Sequence, residues 1–334
     1  MSADSLLPLA ADDGSQPRVR RRRWRFARWV LLTFVVLAVA LTAASYGYNF
    51  ATNGPVPRPP GLLMALGGGF DTRYLEWGTT GTPIVLVPGV FETADTFDSL
   101  GPVLGAGHRV YAIDLTGTGY SAPSPPYDAS HEAAQVLAFL AAEGLTGANA
   151  PILVGHSAGA AVVGMAAVDG GTRYVHGVVF LDGDATGVSD VLGFLGYLFV
   201  NPYRTSLLRI ALGQGWLIRD LYNAQCGPAC PALTAAGVQT WALPLEQPGF
   251  AGELQYWLEH GIASMTTAQF ASLRAVQVPK LVVYGASDPQ MSASDADLTA
   301  QRIGAPPPTT VPGRHLTMIS SPDQVAAAID SLLA

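Results

Sequence analysis

An apolar triplet, a five-residue turn and a run of small residues follow one another between Ile152 and Ala167, and that order leaves the chain few ways to run. Ile152-Leu153-Val154 reads as a buried strand, Gly155-His156-Ser157-Ala158-Gly159 as a sharp turn, and Ala160 to Ala167 as a closely packed helix. A serine at such a strand-to-helix turn stands exposed only if its neighbours lack bulk, which Gly155 and Gly159 provide. The pattern is that of a nucleophile elbow. A helix starting just past Ser157 also directs backbone N–H groups and the positive end of its dipole toward any oxyanion formed there.

Other short apolar runs bounded by turn residues lie at Arg73 to Trp77, Ile84 to Val87, Val110 to Ile113, Val178 to Leu181, Leu281 to Tyr284 and, more weakly, Thr309 to Val311. Continuous apolar character predicts strands buried on both faces, hence an α/β class with a mainly parallel central sheet flanked by helices. Ser130 to Glu143 has helical apolar spacing (Ala133, Val136, Leu137, Leu140, Ala141) and stops at Gly144. For the last helix, Ser321 is the expected cap, Pro322 the first helical residue and Gln324 the residue that completes a capping box. From Asp184 to Pro279 strand signals vanish while Leu, Tyr, Trp and Gly accumulate, predicting a mostly helical cap over residues 185–278 inserted into a core of residues 70–184 and 279–334.

The N-terminus is different in kind. Arg18, Arg20, Arg21, Arg22, Arg23, Arg25 and Arg28 hold seven of the 18 basic residues and precede 22 uncharged residues, Trp29 to Phe50. As a helix these would extend roughly 33 Å, enough to cross a bilayer core of about 30 Å. Residues 1–28 are therefore expected to be a cytoplasmic basic leader, 29–50 a single-pass membrane anchor and 51–69 a Pro-rich linker, with the body of the protein extracytoplasmic. Secretion after cleavage of a signal peptide, near Ala38-Val39-Ala40 or Thr42-Ala43-Ala44, is the alternative. The formal charge of the whole chain is −7 despite that arginine cluster, so the body is more acidic still and nucleic acid is not an expected partner. Cys226 and Cys230, the only cysteines, offer too few ligands for a zinc site; no metal is expected, and a small-loop disulfide is permitted outside the cytoplasm.

A serine hydroxyl needs a base to take its proton and a carboxylate to hold that base in the right tautomer. Asp288, in Tyr284-Gly285-Ala286-Ser287-Asp288, follows a predicted strand, and His315, in Gly313-Arg314-His315, precedes the last helix. Both fall beyond carboxyl ends of strands, where catalytic groups of open α/β sheets collect. Asp182 and Asp184 are alternative acids, placed after the strand ending at Leu181. His156, although adjacent to Ser157, is expected to pack rather than react, because neighbours on a tight turn point apart.

From about Arg73 onward the chain resembles an α/β-hydrolase fold protein with a cap domain. The resemblance rests on Ser157 between Gly155 and Gly159, Asp288 after Tyr284-Gly285, His315 in Gly-Arg-His, and Asp114-Leu115-Thr116-Gly117-Thr118-Gly119-Tyr120-Ser121, similar to the family's D-x-x-G-x-G-x-S turn. It implies a serine hydrolase without cofactor, acting on a small-molecule carboxylic ester, with the backbone N–H groups of Val90 (Phe91 being the alternative) and Ala158 as the oxyanion hole; the apolar residues of the expected cap point to an apolar group on that ester. Val87-Pro88-Gly89-Val90-Phe91 departs from the His-Gly that many members carry after the third strand, but backbone donors do not depend on that side chain. Amide or C–C bond hydrolysis, perhydrolysis and hydroxynitrile cleavage use the same groups, and a non-catalytic membrane-tethered binding protein is the rival from another class.

Overall fold

The computed structural model describes residues 16–52, 56–187, 200–247 and 249–333, with side chains from residue 22 onward. The chain divides after Gly54 into two compact units.

The described residues of the first unit form one helix, α1 (Gln16–Ala51). Its Arg22–Ala51 stretch is long and apolar enough to cross a membrane by length and composition. Most of its described side chains are exposed, Leu31, Val35 and Leu41 among them.

The described residues of the second unit form eight strands: β1 (Leu62–Met64), β2 (Thr72–Trp77), β3 (Pro83–Val87), β4 (Arg109–Ile113), β5 (Ile152–His156), β6 (Gly177–Leu181), β7 (Lys280–Gly285) and β8 (Thr309–Val311). They form one sheet in the order β1-β2-β4-β3-β5-β6-β7-β8. β2 runs antiparallel to β1 and β4, and every other neighbouring pair is parallel. Alternate residues of one strand feed opposite faces, as the period of two requires: Val85, Val87 and Leu153 join one core cluster, while Ile84, Leu86, Ile152 and Val154 join the other. Helices α3 (Ala129–Ala142) and α4 (Gly159–Tyr174) cover the first face; α2 (Leu100–Gly105) and the last helix cover the second. Burial on both faces explains why the strands carry unbroken apolar runs.

Between β6 and β7 the described residues form α5 (Tyr203–Leu212), α6 (Gly215–Cys226), α7 (Ala235–Ala242), α8 (Phe250–His260) and α9 (Thr267–Ala275). The first four share a separate apolar cluster that includes Leu212, Ile218, Val238, Phe250 and Trp257. Helix α9 falls inside the residues expected for the cap, yet it sends Phe270 and Leu273 into the core cluster beneath the sheet. Helical periodicity alone carries no record of which neighbour a helix packs on. A disulfide joins Cys226 and Cys230, whose Cα atoms are 5.8 Å apart.

Three further local expectations are revised. Leu62–Met64, within the expected linker, pairs with β2 as an edge strand too short to declare itself by periodicity. Helix α3 starts at Ala129, one residue before the expected Ser130, and is capped by Asp128, whose carboxylate accepts from the Ser130 and His131 amides. After α10 (Ala293–Ile303), the short helix α11 (Thr317–Ser320) leads into α12 (Pro322–Asp330). Pro322 does begin α12, but Ser321 forms no capping box: its hydroxyl donates to the Pro312 carbonyl at 2.6 Å.

Candidate active site

Ser157 lies between β5 and α4 with φ at +51°, a left-handed value rarely adopted by a residue with a β-carbon. Close packing holds it there. A Cβ on Gly155 would fall 2.2 Å from the Gly159 carbonyl oxygen, and one on Gly159 would fall 2.5 Å from that of Pro88. The two glycines of the turn are thus required by contact.

The loops after β7 and β8 deliver the other two predicted groups to this serine. Ser157 Oγ is 3.0 Å from His315 Nε2, and His315 Nδ1 is 2.9 Å from Asp288 Oδ2 and 3.2 Å from Oδ1. Asp288 Oδ1 also accepts the amides of Gln290 and Met291, which fixes the carboxylate plane. The His315 backbone is anchored to the cap, its amide donating to the Gln225 carbonyl of α6 at 2.9 Å. Serine, imidazole and carboxylate stand in the order a proton relay needs.

Neither alternative acid reaches His315. Asp182 is buried and accepts from the Gly285 amide, the Thr317 amide and the Thr317 hydroxyl. Asp184 folds back on Thr186, accepting from its amide at 2.8 Å and its hydroxyl at 2.5 Å.

The loop after β3 lies against the serine, since a Cβ on Gly89 would sit 2.8 Å from Ser157 Cβ. Gly89 and Glu92 close it as a turn: the Glu92 amide donates to the Gly89 carbonyl at 3.3 Å, and the Gly89 amide to Glu92 Oε2 at 2.8 Å. Val90 and Phe91 occupy the bend. The amides of Val90 and Ala158 form no hydrogen bond with another described residue, and both residues line the cavity that Ser157 and His315 enter. Phe91, with φ at +64°, sets its ring 5.6 Å from those of Phe250 and Trp257, so α8 braces the loop from the cap side.

That cavity has a volume of about 450 Å³. Ile218, Leu221, Trp241, Leu245 and Ile262 supply apolar lining, and among the described lining residues there is no lysine or arginine. Among the described residues no group of three or more His, Cys, Asp or Glu side chains is placed to hold a metal ion.

Two buried networks support the site. Asp114, at the head of the Asp-x-x-Gly-x-Gly-x-Ser segment, accepts the Ala94 and Tyr120 amides at 2.8 Å and pairs with Arg73, which also grips Asp95. A Cβ on Gly119, at φ +85°, would fall 2.7 Å from Asp114 Oδ2, so this segment is a structural turn. The second network was not foreseen. His156, fully buried, places Nδ1 2.7 Å from Glu92 Oε2 and Nε2 2.8 Å from the His315 carbonyl oxygen. Its only advance signal was an acidic residue two places past Val90 and a histidine one place before Ser157.

The sequence profile of the alpha/beta hydrolase family matches residues 84–328, and the chain belongs to that family. It is 36% identical over 104 residues to N-formylmaleamate deformylase of Pseudomonas putida; the match spans 30% of this chain and 38% of that protein's length. Among solved structures, a thermophilic esterase from Thermogutta terrifontis superposes with a TM-score of 0.64 at 20% identity, covering 82% of this chain and 98% of that one. A bacterial membrane phospholipase A superposes with a TM-score of 0.65 at 18% identity, covering 92% and 97%. At those identities the likeness establishes the fold.

Proposed function

We propose that the protein is a serine hydrolase that cleaves carboxylic esters bearing an apolar group, through an acyl-enzyme. Ser157 Oγ attacks the carbonyl carbon while His315 Nε2 takes its proton. The Val90 and Ala158 amides hold the oxyanion, and the imidazolium at 315, held by Asp288, returns the proton to the leaving alcohol. Water then enters by the same route in reverse, releasing the acid and restoring the serine. The observation that carries this reading is the continuous contact from Ser157 Oγ to His315 to Asp288 at 3.0 and 2.9 Å, opening on an apolar cavity.

The lining favours uncharged substrates, because no described cation faces the cavity while Asp184 does. The apolar N-terminal helix, preceded by its arginines, supports a single-pass anchor with the N-terminus cytoplasmic and the hydrolase domain extracytoplasmic. The local likeness to a deformylase favours amide hydrolysis by the same groups as the second reading.

The full chain in detergent is expected to hydrolyse p-nitrophenyl esters and to be labelled by a fluorophosphonate, with both activities abolished in Ser157→Ala. Absence of labelling in the wild type, under conditions where a control hydrolase reacts, would favour a binding protein. Turnover of anilides above that of the matching esters would favour the amide reading.

A further inference from the structure

His156 is the one fully buried imidazole beside the site that no step above uses. A backbone carbonyl only accepts, so the 2.8 Å contact with the His315 oxygen requires a proton on Nε2. Nδ1 faces Glu92 Oε2 at 2.7 Å, an oxygen that also accepts the Gly89 amide at 2.8 Å and is therefore best accommodated as carboxylate. Both ring nitrogens are then donors and the ring is an imidazolium. Burial opposes the charge, but Glu92, then Asp182 at 3.8 Å, with the His315 carbonyl, outweigh it and push the pKa of the ring up to about 9.

We propose that the Glu92–His156 ion pair is a positioning device for hydrolysis, tying the oxyanion loop and the loop of the catalytic base to the nucleophile turn. The three segments it joins are the three parts of the site. Glu92 closes the turn whose bend carries the Val90 amide; His156 immediately precedes Ser157; the His315 carbonyl belongs to the base itself. One ring therefore sets the distances among donor, nucleophile and base, and it can do so only while doubly protonated. The ring centroids of His156 and His315 are 5.0 Å apart, and only His315 reaches the cavity, so His156 orients without touching substrate. The idea rests on the serine hydrolase reading proposed above.

The test uses the full chain in detergent. Glu92→Gln and His156→Gln are expected to lower kcat about 10- to 100-fold, as a misplacement on the order of 1 Å does, with KM within about threefold of wild type. The double variant Glu92→Leu/His156→Leu replaces the pair by apolar packing; it is expected to melt within a few degrees of wild type and still to turn over slowly. Selective ¹⁵N-histidine NMR of the wild type at pH 8 is expected to show one doubly protonated ring that disappears in His156→Gln.

No doubly protonated ring at pH 8, or kcat of Glu92→Gln within twofold of wild type, overturns the proposal. So does failure of every variant to fold, which would assign the pair to stability alone. An inert wild type that still shows the protonated ring would instead sink the hydrolase reading, so the two failures are distinguishable.

Discussion

Two histidine–carboxylate pairs stand side by side above the sheet, Asp288–His315 and Glu92–His156, and they are wired in opposite senses. In each, Nδ1 meets a carboxylate oxygen at 2.9 or 2.7 Å. What differs is the partner of Nε2. His315 faces a serine hydroxyl, which both gives and takes a proton; His156 faces a carbonyl oxygen, which only accepts. On the two proposals made above, the same residue types hold a mobile proton in one place and a fixed charge in the other, and the partner of the second nitrogen decides which.

The largest effect that would break this contrast is at Asp288. Asp288→Asn leaves the geometry but removes the preference for the Nδ1–H tautomer, and turnover of an ester substrate is expected to fall by about 10⁴. Asp182→Asn is expected to reduce turnover less than about tenfold, while lowering Tm through its bonds to Gly285 and Thr317. Reversal of these two results, read by steady-state kinetics and thermal melts, would make Asp182 the acid of the relay.

The smallest effect concerns buried carboxyls with no basic partner among the described residues. Glu132 of α3 is pushed up to about 8, first by burial and then by Asp128; Glu253 of α8, buried and accepting the Thr118 hydroxyl, is raised well above its ordinary value by burial and then by Glu132. The folded state thus holds protons that the unfolded chain releases above about 4.5, so this stability is fully present below that pH and is lost as pH rises through about 8. The Tm of the wild type is expected to fall across that window. In Glu132→Gln the fall should be shallower, by a few degrees; an unchanged slope would show that the site is already ionised.

Ser157, Asp288 and His315 were legible because each sits in a short turn motif whose neighbours announce it. The sheet was legible for a related reason: strands buried on both faces leave runs such as Ile84 to Val87 that need no knowledge of their partners. Glu92 and His156 left no such trace. They are 64 residues apart, and their meaning lies in burial and in the acceptors they meet. The cap boundary was blurred likewise, since α9 packs on the core while its periodicity matches that of the cap helices.

By itself the sequence determined the α/β layering, the turn at Ser157 and the choice of Asp288 and His315 as the residues proposed to act with it, because period, glycine placement and motif spacing are local properties of a chain. Tertiary structure alone decided that Asp182 is turned toward Gly285 and Thr317, that Glu92 closes the loop after β3, and that His156 meets two acceptors at once. Those outcomes depend on contacts among segments distant along the chain, whose distances are set only when strands β3, β5, β6 and β7 come into register.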